Sequence, residues 1–292
     1  MKVHEARRKL QALLAGDRCV PMASVFDPIS SRIAEALGYE GALMGGSIVS
    51  HVVLGAPDVI VLTLSELAEQ VHRCTRVSSV PLLIDGDHGY GNALNVMRTI
   101  EELDFAGAAA VMIEDTLLPR PFGPGDTPKL ISMEEAIGKM KAAVKARGDS
   151  DLLVLGRTSA ATIANVDEAI ARFLAFESTG VDGLFLPGVR TRDEMDRIAA
   201  AVRLPLISGG VAQPLADAEY LASRRVRLWS GGHQVFAVAV NALYEAMKSV
   251  REGTYPSKLP DIAPNALLDT VTGSAEYVQR TQAFLGARST NT

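Results

Sequence analysis

Eight times along the chain, a short apolar run rich in Val, Ile, Leu and Ala gives way to a longer stretch with helical periodicity. Apolar runs of that length read as strands buried on both faces, and their alternation with helices marks repeated βα units. Strands are expected over residues 19–25, 41–45, 81–85, 109–113, 152–156, 183–187, 205–208 and 226–230. Amphipathic helices are expected between them over 30–37, 64–78, 93–106, 132–147, 166–179 and 192–202. Ser132, Asn165 and Thr191 stand where N-caps belong, each with acids in the turn that follows. Eight parallel strands with their helices close most simply into an α/β fold of the TIM (β/α)8-barrel type, for which ~250 residues is typical. A doubly wound open sheet is disfavoured, because no Gly-x-Gly-x-x-Gly follows the first strand.

The expected organisation is one catalytic barrel domain over 1–251, including an N-terminal helix, and a helical extension over 252–292 that packs on a neighbouring subunit. Hydrophobic residues make up 48% and aromatics 5%, so the core must be aliphatic. With 29 basic residues against 34 acidic and no run of Lys or Arg, the chain lacks a phosphodiester footprint, which argues against nucleic acid as a partner. Cys19 and Cys74 are too few for a disulfide framework or a thiolate metal site and read as reduced packing residues. Residues 1–17 lack the apolar stretch of a signal peptide, and no segment reaches the ~20 apolar residues of a membrane span. A cytoplasmic protein is expected.

In a barrel the chemistry sits where strands end, so the polar residues that follow each apolar run are the candidates. The third run ends in Asp85-Gly86-Asp87-His88-Gly89-Tyr90-Gly91-Asn92, and the fourth in Ile113-Glu114-Asp115. Asp85, Asp87 and Glu114 would then lie close together, and carboxylates that close repel unless a cation joins them. An oxygen-only set favours Mg2+, with Mn2+ as the alternative, over Zn2+. The plainer reading is that these acids cap helices or pair with a nearby Arg. Arg157, ending the fifth run, suits a two-pronged grip on a carboxylate, or else a simple inter-strand ion pair. Gly46 and Ser47, after the second run, offer donors to an anionic oxygen, although a glycine pair there is more often only a turn. His233, after the last run, faces the mouth, and His88 is either a substrate contact or a support behind it.

These stretches, together with Ser24-Val25-Phe26-Asp27-Pro28 and Gly156-Arg157-Thr158, resemble the isocitrate lyase and phosphoenolpyruvate mutase superfamily from about Ser24 through His233. Asp85-x-Asp-His-Gly-Tyr-Gly-Asn92, followed by Asn95-Val96-Met97-Arg98-Thr99, is most similar to its oxaloacetate decarboxylase branch. The resemblance implies that Asp85 ligates Mg2+ while Asp58, Asp87 and Glu114 hold its waters. It also implies that Ser47, Arg157 and His233 contact a small 2-oxo dicarboxylate, and that the chain forms a homotetramer with helices exchanged between barrels. The activity implied is decarboxylation through a metal-stabilised enolate. The lyases of the superfamily carry a Cys in the loop after the fourth strand, where this chain has Leu117-Leu118-Pro119-Arg120-Pro121-Phe122-Gly123. The phosphonate-processing members carry a polar loop there that is equally missing. Carbon-carbon cleavage of 2-methylisocitrate or dimethylmalate, and phosphonopyruvate chemistry, stay as alternatives. Ser208-Gly209-Gly210-Val211 replaces a more polar segment expected after the seventh strand, and Ser159 stands where Asn is expected.

Overall fold

A computed structural model describes residues 2–123 and 127–286. Its parallel sheet runs through nine segments, the first two of which, Val20–Pro21 and Ala23–Ser24, are separated only by Met22. Met22 N donates to Trp229 O at 2.8 Å and Ala23 N to Gly41 O at 3.0 Å, so this one crossing, β1, joins both ends of the sheet. A nearly closed barrel results. The other strands are β2 (Ala42–Met44), β3 (Leu82–Asp85), β4 (Ala110–Glu114), β5 (Leu153–Arg157), β6 (Gly183–Pro187), β7 (Leu206–Gly209) and β8 (Val226–Ser230). Each pairs in parallel with its sequence neighbours, as short aliphatic runs joined by helices require. Strand ends fall within two residues of their expected places outside β1, whose interruption at Met22 has no mark in an apolar run.

The helices are α1 (Lys2–Ala15), α2 (Pro28–Ala36), α3 (Gly46–Val49), α4 (Leu64–Thr75), α5 (Ala93–Phe105), α6 (Met133–Arg147), α7 (Ala160–Ile163), α8 (Val166–Glu177), α9 (Arg192–Ala201), α10 (Ala218–Ser223), α11 (Gln234–Arg251), α12 (Asn265–Thr272) and α13 (Ser274–Leu285). Ser132, Asn165 and Thr191 do cap α6, α8 and α9. Among the elements that escaped the sequence are α3, the π-helical turn Ser50–Leu54 behind it and α7, all too short to show a period.

Alternation along the strands divides the core in two. Leu43, Leu83, Met112, Leu155 and Ile207 point into the barrel, while Met44, Ile84, Val111 and Val154 face the helices. Leu10 and Leu14 of α1 join the inner layer, and the buried Arg7 donates to Ala108 O at 2.9 Å, just ahead of β4. α1 therefore plugs the N-terminal end of the barrel and leaves the C-terminal mouth open. Cys19 and Cys74 are free and buried. Among the described residues no helix is long and apolar enough to cross a membrane.

Candidate active site

β3 delivers Asp85 to the mouth and then turns back sharply. Asp87, Gly89, Tyr90 and Gly91 all have positive φ, at 47°, 77°, 59° and 149°. Non-glycine residues held there are strained and persist only where the surroundings fix them. Here Asp87 N donates to Asp85 Oδ1 at 3.2 Å, Glu114 N donates to Asp87 O at 2.8 Å, and Thr99 Oγ1 of α5 donates to Gly89 O at 3.1 Å. The turn presses the Asp87 carboxylate onto the second strand's glycines: a Cβ on Gly46 would sit 2.7 and 2.9 Å from its oxygens. Gly46 does not line the cavity itself; it makes room for a group that does.

Glu114, 4% exposed, ends β4 and accepts from Thr116 Oγ1 at 3.0 Å. Arg157 ends β5 in register with it. Its Nη1 donates to Asp85 Oδ2 at 2.6 Å, and its Nε lies 3.3 Å from Glu114 Oε2 without hydrogen-bond alignment. The inter-strand ion pair weighed for Arg157 is thus formed, and the residue still borders the cavity. Burial alone would ease off the guanidinium's proton, but Asp85 and Glu114 reverse that and hold it charged. Burial, then the charges of Asp85 and Glu114, push the Asp87 carboxyl well above the ordinary carboxylate range. Glu114 is raised by burial against the pull of Arg157, and Asp58, on the exposed segment before α4, is raised by loss of solvent around its carboxyl and by Asp85. Four carboxylates therefore share one guanidinium, and the remaining negative charge calls for a further cation with a preference for oxygen. Among the described residues no three acidic, His or Cys side chains stand pre-set around a single point. A cation would be held by few direct bonds and by water on the other acids.

These groups open onto one cavity of about 1410 Å3 at the C-terminal mouth, which Ser47 and His233 also line. His233 Nδ1 is 2.8 Å from Ser24 Oγ, and burial lowers the affinity of its ring for a proton. Sequence reasoning named Ser24 only as part of a motif. Its signal was there: a polar residue at the mouth end of a strand. Leu117, Leu118, Phe122 and Phe185 form the apolar wall. Behind it Arg172 donates to Asp115 Oδ2 at 2.9 Å and to Ile131 O at 3.1 Å, tying together the two ends of the loop that carries the wall. His88, 3% exposed, is not among the residues lining the cavity, and burial depresses its basicity to a pKa of about 4. The small residue that ends β7 also has a cause: a Cβ on Gly209 would lie 2.5 Å from the Phe185 ring.

The family model described as phosphoenolpyruvate phosphomutase matches residues 10–251. Oxaloacetate decarboxylase of Paraburkholderia xenovorans is 60% identical over 279 residues, covering 96% of this chain and 93% of that protein. Oxaloacetate decarboxylase of Rhodopseudomonas palustris (strain BisB18) is 50% identical over 282 residues, 97% of this chain and 98% of that protein. Among solved structures, phosphonopyruvate hydrolase complexed with oxalate and Mg++ superposes with a TM-score of 0.85 at 26% identity, over 96% of this chain and 99% of that one. Oxaloacetate acetylhydrolase in complex with oxalate gives 0.84 at 26% identity, over 96% and 98%.

Proposed function

Because this chain belongs to the phosphoenolpyruvate phosphomutase family, we propose that its cavity decarboxylates oxaloacetate to pyruvate and CO2. The observation that carries this choice within the family is the wall opposite the carboxylates. Leu117, Leu118, Pro121 and Phe122 line it beside Arg120, Thr127 and Lys129, and the chain's two thiols, Cys19 and Cys74, are buried elsewhere. A lyase that protonates its leaving carbanion through a thiol lacks that acid here, whereas after CO2 has left solvent can protonate the pyruvate enolate.

Asp85 would hold Mg2+, with Asp58, Asp87 and Glu114 holding its waters and Mn2+ as the alternative ion. When bound, the ion supplies Lewis-acid polarisation of the substrate's 2-oxo group. The chain's own groups do the rest. Arg157 and His233 orient the carboxylates, so that the bond from C3 to the departing carboxylate stands across the plane of the 2-oxo group. Ser47, through its hydroxyl and its N–H, which has no intrahelical acceptor, donates to the oxygen that gains charge as that bond breaks. CO2 leaves, the electron pair passes into the enolate, and a proton taken from solvent at C3 yields pyruvate.

Two experiments bear on this reading. Offered oxaloacetate, 2-methylisocitrate, 2,3-dimethylmalate and phosphonopyruvate in turn, the enzyme should turn over oxaloacetate alone; rapid glyoxylate or phosphate release would overturn the assignment. Gly46→Ala should shift the Asp87 carboxylate by the overlap its Cβ creates, and a misplacement near 1 Å lowers turnover about 100-fold. Circular dichroism of this variant should stay native while kcat falls; unchanged kcat would remove Asp87 from the machinery.

We also read α11 as packing against a second copy, within a homotetramer. None of its residues is buried, although Val238, Leu243 and Met247 are 69%, 64% and 65% exposed on an 18-residue helix. Light scattering should give four times the 31.0 kDa chain mass, and Leu243→Asp should lower it. A fully active monomer would contradict the reading.

A further inference from the structure

Ser24 and His233 stand 209 positions apart in the chain and meet at the closing seam of the barrel, where β1 lies beside β8. Ser24 Oγ and His233 Nδ1 are 2.8 Å apart, half-buried. The ring's other nitrogen turns toward Gly45. A Cβ added to Gly45 would lie 2.6 Å from His233 Nε2 and 3.7 Å from Ser47 Oγ, so nitrogen and hydroxyl flank one small volume at the cavity floor.

A neutral imidazole has one nitrogen that donates and one that accepts, and the partner of the first nitrogen decides what the second presents. The Ser24 hydroxyl has a single hydrogen-bond partner among the described residues, His233 Nδ1. Were Nδ1 protonated, it would donate to Ser24 Oγ, and the hydrogen of this half-buried hydroxyl would have no acceptor among the described protein groups. With Nδ1 bare, the Ser24 O–H donates to it and both groups are satisfied.

We propose that Ser24 is a positioning residue that holds His233 in the tautomer carrying its proton on Nε2. His233 then presents an N–H donor, not a basic lone pair, to the anion beside Ser47. This deepens the functional reading above and rests on its placing substrate against His233. The arrangement suits an anionic substrate: a bare Nε2 facing a carboxylate or an enolate oxygen would repel it. It also assigns His233 to binding and charge stabilisation, so that removing a substrate proton is not its task.

The test uses full-length protein labelled with 15N-histidine, its His233 signals identified by their loss in His233→Asn. Magic-angle-spinning spectra should show Nε2 protonated and Nδ1 bare in the wild type, and Ser24→Ala should convert this to a mixture of tautomers. In kinetics, Ser24→Ala should lower kcat/KM about five- to tenfold, mostly through KM, as loss of one such hydrogen bond predicts. Ser24→Thr should restore both spectrum and rate, and Ser24→Ala should add nothing in a His233→Asn background. A wild-type spectrum with the proton on Nδ1, or one that Ser24→Ala leaves unmoved, overturns the proposal. The spectra need no turnover, so a failure of oxaloacetate as substrate would be seen separately from a failure of the tautomer assignment.

Discussion

Asp85→Asn is expected to lower kcat for oxaloacetate by about a thousandfold or more, since Lewis-acid help is worth several kcal/mol and each ~1.4 kcal/mol is a factor of ten. The residue concentrates two roles. It ends β3 at the cavity, and its two oxygens already take the Asp87 backbone N–H and the Arg157 guanidinium. An amide keeps the shape and most of the packing, yet it removes the charge that holds Arg157 in place and that would bind the proposed cation. Isothermal titration with Mg2+ should show binding weakened in step with activity. A variant that keeps its metal affinity but loses turnover would assign Asp85 to orienting Arg157 alone, and one that keeps ordinary turnover would remove it from the site.

Arg157→Met is expected to be the most damaging substitution to both rate and stability. Its side chain is 19% exposed and pairs with Asp85 at 2.6 Å, with Glu114 at 3.3 Å. Removing one partner of a buried pair leaves an uncompensated charge and costs about 3–5 kcal/mol. Burial has already raised the carboxyls of Asp87 and Glu114, and without the guanidinium they rise further. Groups whose folded pKa exceeds the unfolded value bind more protons folded than unfolded, so the stability they allow is lost as pH rises through the folded pKa. The deficit of the metal-free variant in chemical denaturation should therefore be largest at neutral pH and shrink as pH falls toward the carboxylate range. A deficit independent of pH would mean that Arg157 acts by packing rather than by charge. Turnover should be lost as well, and Arg157→Lys should not restore it, because a single ammonium cannot reproduce the planar two-sided contact.

The barrel was legible because its physics is periodic. A strand buried on both faces must be an unbroken aliphatic run, and the helix over it must be amphipathic, so Leu82–Asp85 and Ala93–Phe105 announce themselves. The acidic cluster was legible for a related reason: strand ends point to one mouth, so Asp85, Asp87 and Glu114 converge by topology alone. What stayed hidden depends on contacts without a period. An ion pair for Arg157 was among the readings, but that its guanidinium turns onto Asp85 in particular is a choice of rotamer set by the finished site. The meeting of Ser24 with His233 needs the barrel closed. Asp58 sits on an irregular segment where no pattern singles it out, and only the family resemblance pointed to it. The four-residue α3 is shorter than any reliable helical signal, although the Gly45-Gly46-Ser47 that starts it was visible.

The central claim is tested most directly by the initial rate of pyruvate formation from oxaloacetate with the purified full-length chain, measured with Mg2+ and with chelator and corrected for the spontaneous metal-catalysed reaction. A rate far above that background with Mg2+, abolished by chelation and restored by readdition, is the predicted result. A metal-replete, folded enzyme that forms pyruvate no faster than the background would contradict it.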